Sequence, residues 1–214
     1  NKEEIKLIVR SSNDRLSKCR KKKCFCTAGI LAICICTVIL GFPSHKEQEM
    51  QEKIAGEILR FRVVANSDSV TDQETKQKVK NAVQNELGKI LENTDSLEET
   101  KEQILGQMGR IDQTAKAAAG TEKIKVSLVV DWFPQRVYGK YSFPEGEYET
   151  LRVEIGEGKG HNWWCVLYPG LCYGDAVHPV ADEEGEEQLK QVLDEESYDF
   201  LLYPAKTRIR FRWF

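Results

Sequence analysis

The stretch "ILRFRVVANSDSVT", residues 58–71, changes from a hydrophobic period of two to a run of polar turn residues. Apolar side chains at positions 59, 61 and 63 fall on one face of the predicted strand, and two arginines fall on the other. Thr71 and Glu74 fit a capping box, which predicts the start of a helix. The helix carries an apolar stripe at positions 79, 83, 87 and 91. The stretch therefore predicts a strand that turns directly into an amphipathic helix.

The same two periods continue along the rest of the chain. A second capping box, Ser96 to Glu99, opens a helix that Gly120 ends, with an apolar stripe at positions 97, 104, 108, 111 and 115. Residues 123–133 and 148–156 return to a period of two, and residues 133–148 between them indicate a long excursion rather than a tight hairpin. A short helix is predicted at 184–193, and the alternation of residues 207–214 favours a strand over a lipid-contacting end. We predict an α+β domain whose antiparallel or mixed sheet has two helices packed on one face.

An uncharged segment, residues 24–42, precedes this domain and predicts a membrane-spanning helix. Its 19 residues would span about 28 Å as a helix, close to the thickness of the hydrocarbon core. Residues 1–23 carry nine Lys/Arg against three Asp/Glu, so we expect this basic head in the cytoplasm. The segment exceeds the usual apolar core of a signal peptide and lacks a small-residue cleavage site, which favours a signal anchor over a cleaved signal peptide. Residues 43–57 are predicted as a polar spacer, and residues 58–214 as an exported domain.

The charge of the exported part argues against nucleic acid as a partner. The chain carries a formal net charge of −3, and residues 24–214 account for 22 Lys/Arg against 31 Asp/Glu. Binding to phosphates requires a basic footprint, which this domain lacks.

The run "GHNWWCVLYPGLCY", residues 160–173, concentrates the aromatic residues and the two cysteines of the exported domain. Cys165 and Cys172 favour a disulfide in an oxidising compartment, closing a loop that displays aromatic side chains. Trp163 and Trp164 point to opposite sides of an extended chain, so we expect one to be buried and the other presented. Aromatic side chains in such a loop are typical of interface hot spots.

Two kinds of chemistry compete with this interpretation. Cys165 could act as a nucleophile with His161 or His178 as its base. The same two histidines, with Cys165 and Cys172, are numerous enough for a tetrahedral zinc site, although the usual short cysteine spacing is missing. The glycine run "GEGKG" at 156–160 fits neither the dinucleotide nor the P-loop pattern. We therefore assign no catalytic residue, no metal and no cofactor, and predict that the protein is not an enzyme.

Two blocks of the sequence, residues 59–83 and 143–172, resemble the stage II sporulation protein R family. The first contains "LRFRVVANSDSVTDQETKQKVKNAV" and the second "FPEGEYETLRVEIGEGKGHNWWCVLYPGLC". The resemblance implies a forespore signal exported into the space between forespore and mother cell. It also implies a partner, a membrane-embedded aspartic protease of the mother cell called stage II sporulation protein GA, which processes the precursor of sigma E.

On this resemblance, the candidate partner contacts come from both blocks: Asn66, Ser67, Asp68, Asn162, Trp163, Trp164 and Tyr168. The basic head is longer than the start of a typical signal peptide, which suggests a tethered form of the signal. The alternatives that stay open are an extracytoplasmic cysteine hydrolase acting on cell-wall peptide and a structural module that binds the cell wall.

Overall fold

The computed structural model describes residues 45–92, 94–121, 123–171 and 183–202. Six helices and six strands occur in these ranges. The helices are α1 (His45–Glu57), α2 (Val70–Ile90), α3 (Leu97–Gly106), α4 (Met108–Ala119), α5 (Glu183–Val192) and α6 (Glu195–Leu202). The strands are β1 (Leu59–Val64), β2 (Ile124–Phe133), β3 (Arg136–Tyr138), β4 (Tyr141–Phe143), β5 (Gly146–Ile155) and β6 (Asn162–Tyr168).

Four of the strands form one mixed sheet in the order β2-β5-β1-β6. Strand β5 runs antiparallel to β2 and parallel to β1, and β1 runs antiparallel to β6. The predicted α+β class with a mixed sheet is therefore confirmed. Strand β6 was not predicted as a strand, since its residues were expected to form a loop.

Helices α2, α3 and α4 cover the first face of the sheet. In β1, arginines alternate with three apolar residues that are fully buried on this face: Leu59, Phe61 and Val63. The stripe residues of α2 that pack against them are fully buried as well: Val79, Val83 and Leu87. The predicted second helix is divided into α3 and α4, because Gln107 caps both and interrupts the helix after Gly106. Gly120 ends α4 as predicted, in the left-handed conformation with φ 66°.

The second face of the sheet carries its own apolar core. Helix α1, the small β3–β4 hairpin, α5 and α6 contribute buried residues to this core together with Phe133, Tyr148 and Val166 of the sheet. Residues 43–57 were predicted as a polar spacer, but α1 buries Met50 and Ile54 in this core. The domain therefore begins before residue 58, and helices lie on both faces rather than on one. Residues 133–148, predicted as an excursion without a tight hairpin, contain the β3–β4 pair.

Arg60 of β1 points into this second core rather than into solvent. Its guanidinium lies 4.4–5.5 Å from the ring centres of four aromatic side chains, Phe133, Tyr138, Phe143 and Tyr148. Its Nη2 donates a hydrogen bond of 3.0 Å to the Tyr138 hydroxyl, and burial lowers the pKa of Arg60. Cation–π contacts thus take the place that a carboxylate would have beside a buried arginine.

The predicted membrane segment, residues 24–42, lies outside the described residues, as do the basic head and residues 207–214. Within the described ranges, no helix combines the length and the apolar character needed to cross a bilayer.

Candidate functional site

The two signature blocks meet at one end of the sheet. Because β1 and β6 are antiparallel neighbours, the end of β1 lies beside the start of β6, and Val64 is paired with Asn162. Beyond the strands, the Gly160 amide donates to the Ala65 carbonyl at 2.9 Å, and the Lys159 amide donates to the Asn66 carbonyl at 3.1 Å. We call residues 65–69 together with residues 156–161 the loop junction.

Asn66 is the link between the two halves of the loop junction. Its Oδ1 accepts a hydrogen bond of 3.0 Å from the Glu157 amide, and its Nδ2 donates at 2.9 Å to the Asp72 carboxylate of α2. The Ser67 hydroxyl donates to the same Asp72 oxygen at 2.5 Å. These two donors, Ser67 first and then Asn66, hold the pKa of Asp72 below its usual value. One carboxylate at the start of α2 therefore orients two of the predicted site residues.

The start of α2 differs from the predicted capping box. Ser69 is the N-cap residue, because its hydroxyl oxygen accepts a hydrogen bond of 3.2 Å from the Asp72 amide, and the helix begins at Val70. Thr71 instead lies within the first turn, where its carbonyl accepts from the Thr75 hydroxyl.

Asp68 and His161 form the exposed part of the loop junction. Asp68 Oδ1 accepts from the His161 amide at 2.6 Å and lies 2.5 Å from His161 Nδ1. The two side chains remain 56% and 77% exposed, so they form a polar patch that a partner can reach. Below them, Lys76 Nζ donates to the His161 carbonyl at 3.1 Å, and burial lowers the pKa of Lys76.

The glycine run at 156–160 is a fixed turn that fits closely against the first block. Gly156 has φ +60°, a left-handed conformation that favours glycine, and a Cβ there would lie 2.2 Å from Asn66 Oδ1. A Cβ at Gly160 would lie 2.3 Å from the Ser67 carbonyl oxygen. Glycine is needed at 156 because the Asn66 side chain lies against it, and at 160 because the Ser67 backbone does.

The adjacent tryptophans of β6 lie on opposite faces of the sheet. Trp163 packs edge-on against Phe61 of the first core at 5.4 Å, with Lys80 Nζ 5.2 Å from its ring centre. Trp164 packs edge-on against Phe133 of the second core at 4.6 Å. Both tryptophans are half-buried, so the prediction of one buried and one presented ring is wrong. A strand with a core on each face gives both rings partial cover.

Tyr168 and Cys165 do not join the loop junction. Tyr168 lies at the opposite end of β6, where its hydroxyl donates to the Asp95 carbonyl at 3.2 Å. Cys165 is fully buried in the first core and is disulfide-bonded. Cys172, its predicted partner, and His178 lie outside the described residues. Within the described ranges, no group of three or more His, Cys, Asp or Glu side chains is placed to hold a metal ion.

Three charged residues beside Asn162 were not predicted as site residues. Arg62 Nε donates to Asn162 Oδ1 at 2.9 Å, and Arg62 Nη1 donates to Asp131 Oδ2 at 3.0 Å. Arg152 Nη1 contacts Asp131 Oδ1 at 3.3 Å. The only local signal for Arg62 was its alternation with apolar residues in β1. Nothing in the sequence around Asp131 indicated a contact with an arginine 69 residues away.

The fold and the loop junction together define an α+β domain in which two distant sequence blocks build one polar surface. A model of the family described as "Stage II sporulation protein R" matches residues 55–178. Stage II sporulation protein R of Bacillus subtilis (strain 168) is 34% identical over 162 residues, which cover 71% of this chain and 72% of that protein. The chain belongs to the stage II sporulation protein R family. No solved structure matches it significantly.

Proposed function

We propose that this sporulation protein is an exported agonist of a membrane-embedded aspartic protease, stage II sporulation protein GA. On this proposal, residues 24–42 anchor the chain in the forespore membrane, or are cleaved to release it. The folded domain acts in the space between forespore and mother cell, where it stimulates the protease to process the precursor of sigma E. Membership of the family supports a role in sporulation. The observation that carries the proposal further is the loop junction, in which the two signature blocks meet on one accessible surface.

An agonist must bind the active arrangement of its partner more tightly than the inactive one, since equal affinity for both shifts no equilibrium. The loop junction is suited to this task because its backbone is held by hydrogen bonds before any partner arrives. Asn66, Ser67 and Asp68 all take part in these hydrogen bonds, and the exposed side chains among the junction's paired residues, Asp68 and His161, are the proposed partner contacts. A pre-ordered surface loses little conformational entropy on binding, and this supports specific recognition.

The cysteine hydrolase is the alternative that the structure argues against. A nucleophilic cysteine needs an accessible thiolate near a base. Cys165 is fully buried and disulfide-bonded, so it offers no accessible thiolate. We propose that the sulfur partner of Cys165 is Cys172, so that the bridge fixes the segment after β6.

A dose titration tests the proposal. The full chain in lipid nanodiscs is added to membranes that carry the protease and the sigma precursor, and cleavage of the precursor is followed. For an agonist, cleavage rises until the chain equals the protease in number and then stops. For an enzyme, trace amounts drive complete cleavage and Cys165→Ala abolishes the effect without unfolding the domain. Absence of any response would overturn the proposal, provided that the chain is folded and that the protease shows basal cleavage of the precursor.

A further inference from the structure

The second face of the sheet carries a row of polar side chains that crosses all four strands. Ser127 of β2 is paired with Arg152 of β5, Arg152 with Arg62 of β1, and Arg62 with Trp164 of β6. Because residues paired across a sheet share a face, these four side chains stand side by side. We propose that this row, which we call the arginine row, binds an acidic segment of the partner protease through its carboxylates. That the partner is the protease rests on the proposed function. That the bound segment is acidic rests on the side chains of the row itself.

The arginine row places two like charges side by side. Arg62 and Arg152 are register partners on the parallel strands β1 and β5, and like charges this close repel each other. Asp131 bridges them, with one oxygen 3.0 Å from Arg62 Nη1 and the other 3.3 Å from Arg152 Nη1. Glu154 Oε2 lies 3.6 Å from Arg152 Nε, too far for a hydrogen bond.

Polar atoms of the row also remain without hydrogen-bond partners. Arg152 Nε and Ser127 Oγ are both buried from solvent and make no hydrogen bond. Buried donors without partners are uncommon in native proteins and lower stability. The row therefore holds more hydrogen-bond donors than its own acceptors satisfy, which favours a carboxylate as the bound group.

Trp164 holds the arginines at the end of the row. The Arg62 guanidinium lies 4.4 Å from the centre of the Trp164 ring, and the Arg136 guanidinium lies 5.6 Å from the same centre. Arg136 is exposed, and among the residues that the structure describes its side chain makes no hydrogen bond or ion pair. Contact with an indole orients a guanidinium without using its N–H donors, so those of Arg136 stay available for a carboxylate.

The charge of the row stands out against that of the rest of the domain. The row and the neighbouring Arg136 of β3 together carry three guanidiniums, Arg62, Arg136 and Arg152, beside two carboxylates, Asp131 and Glu154, whereas residues 24–214 carry 22 Lys/Arg against 31 Asp/Glu. A cationic patch on an acidic domain is complementary to an acidic peptide. A nucleic acid would meet repulsion from the surrounding carboxylates. Arginine is suited to this task because its planar fork of donors matches the two oxygens of a carboxylate.

The test measures binding separately from activation. The full chain in nanodiscs, labelled with ¹⁵N in its indole groups, is titrated with acetylated and amidated tetraglutamate and with the corresponding tetralysine. The indole signal of Trp164 is assigned by Trp164→Phe. We expect this signal to shift with tetraglutamate only, and Arg136→Gln to weaken the binding about tenfold through loss of one charge-assisted contact. Lys78→Gln, which removes an exposed cation from α2, is the matched control and should bind like the wild type.

Each outcome bears on one of the two proposals. Absence of a shift with tetraglutamate, or equal binding by wild type and Arg136→Gln, overturns the arginine row as an acidic-peptide site. If tetraglutamate binds as expected but the chain never stimulates precursor cleavage, the row is supported and the proposed function fails. In the cleavage assay, Arg136→Gln should raise the dose for half-maximal cleavage about tenfold, whereas Lys78→Gln leaves it unchanged. Because Arg136 is exposed, its replacement leaves the fold intact, and circular dichroism verifies this.

Discussion

Substitution of Gly160 by alanine tests the contact between the two signature blocks. The new methyl group would lie 2.3 Å from the Ser67 carbonyl oxygen and 2.9 Å from Ala65 Cβ, so one of the two backbones must move. Movement breaks the hydrogen bond from the Gly160 amide to Ala65 and the adjacent one from Lys159 to Asn66. The two lost hydrogen bonds cost about 2 kcal/mol together, and overpacking adds roughly 1–2 kcal/mol. We therefore expect the free energy of unfolding to fall by about 3–4 kcal/mol and the melting temperature by about 10 °C.

The matched control is Gly109→Ala in α4, where an added Cβ has nothing within 4 Å. Alanine is the better helix former, so this variant should be as stable as the wild type or more stable by roughly 0.5 kcal/mol. Urea unfolding of the full chain in detergent micelles, followed by tryptophan fluorescence, measures both variants. A change of less than about 0.5 kcal/mol for Gly160→Ala would refute the close approach of the two loops, since overpacking of this kind costs more than that.

Three further predictions concern the same surface. Asn66→Asp replaces the amide that donates to Asp72 with a second carboxylate, and the two carboxylates repel each other. The unfolding midpoint of this variant at neutral pH should therefore lie below that of the exposed control Asn81→Asp. Equal midpoints would contradict the hydrogen bond from Asn66 to Asp72. Trp163→Leu and Trp164→Leu should each lower the free energy of unfolding by about 2 kcal/mol, because each ring is half-buried against a core and its loss leaves space. Only Trp164→Leu should also raise the dose needed for precursor cleavage, since Trp164 contacts the arginines; an equal rise for Trp163→Leu would refute this role. The pKa of Asp72 is lowered in the folded protein, so its stabilisation is complete above the ordinary aspartate pKa and is lost as the pH falls through the lower folded value. The stability difference between wild type and Asp72→Asn should therefore shrink as the pH falls below about 5, as denaturation curves would show, and a constant difference would refute this origin of the stabilisation.

The sequence predicted those elements whose pattern is complete within a short window. Strands β1, β2 and β5 alternate with a period of two, and α2 repeats its apolar residues every four positions. Strand β6 was not predicted because it has a core on each face, so its residues are apolar or aromatic without alternation. Helix α1 was not predicted because its buried residues, Met50 and Ile54, stand in an otherwise polar segment.

The site was only partly predictable for a different reason. The resemblance pointed to Asn66, Ser67 and Asp68, but it gave them all the role of partner contacts. Two of these side chains, Asn66 and Asp68, also link the two loops by accepting hydrogen bonds from the Glu157 and His161 amides, 91 and 93 residues away. Contacts of this range leave no periodic trace in the sequence. The same holds for Arg152, whose carboxylate partner Asp131 comes from the neighbouring strand β2.

The two halves of the loop junction are far apart in the sequence, and this separation determines when during synthesis the junction can form. The chain is synthesised from its N-terminus, so Asn66 is made 91 residues before Glu157. At typical rates of synthesis this interval is on the order of ten seconds. During that time β1 lacks both of its neighbours, β5 and β6, and the loop after it has nothing to close against. A chain that has not yet reached Gly160 therefore displays no junction, so the surface belongs to the folded domain and to neither sequence block alone.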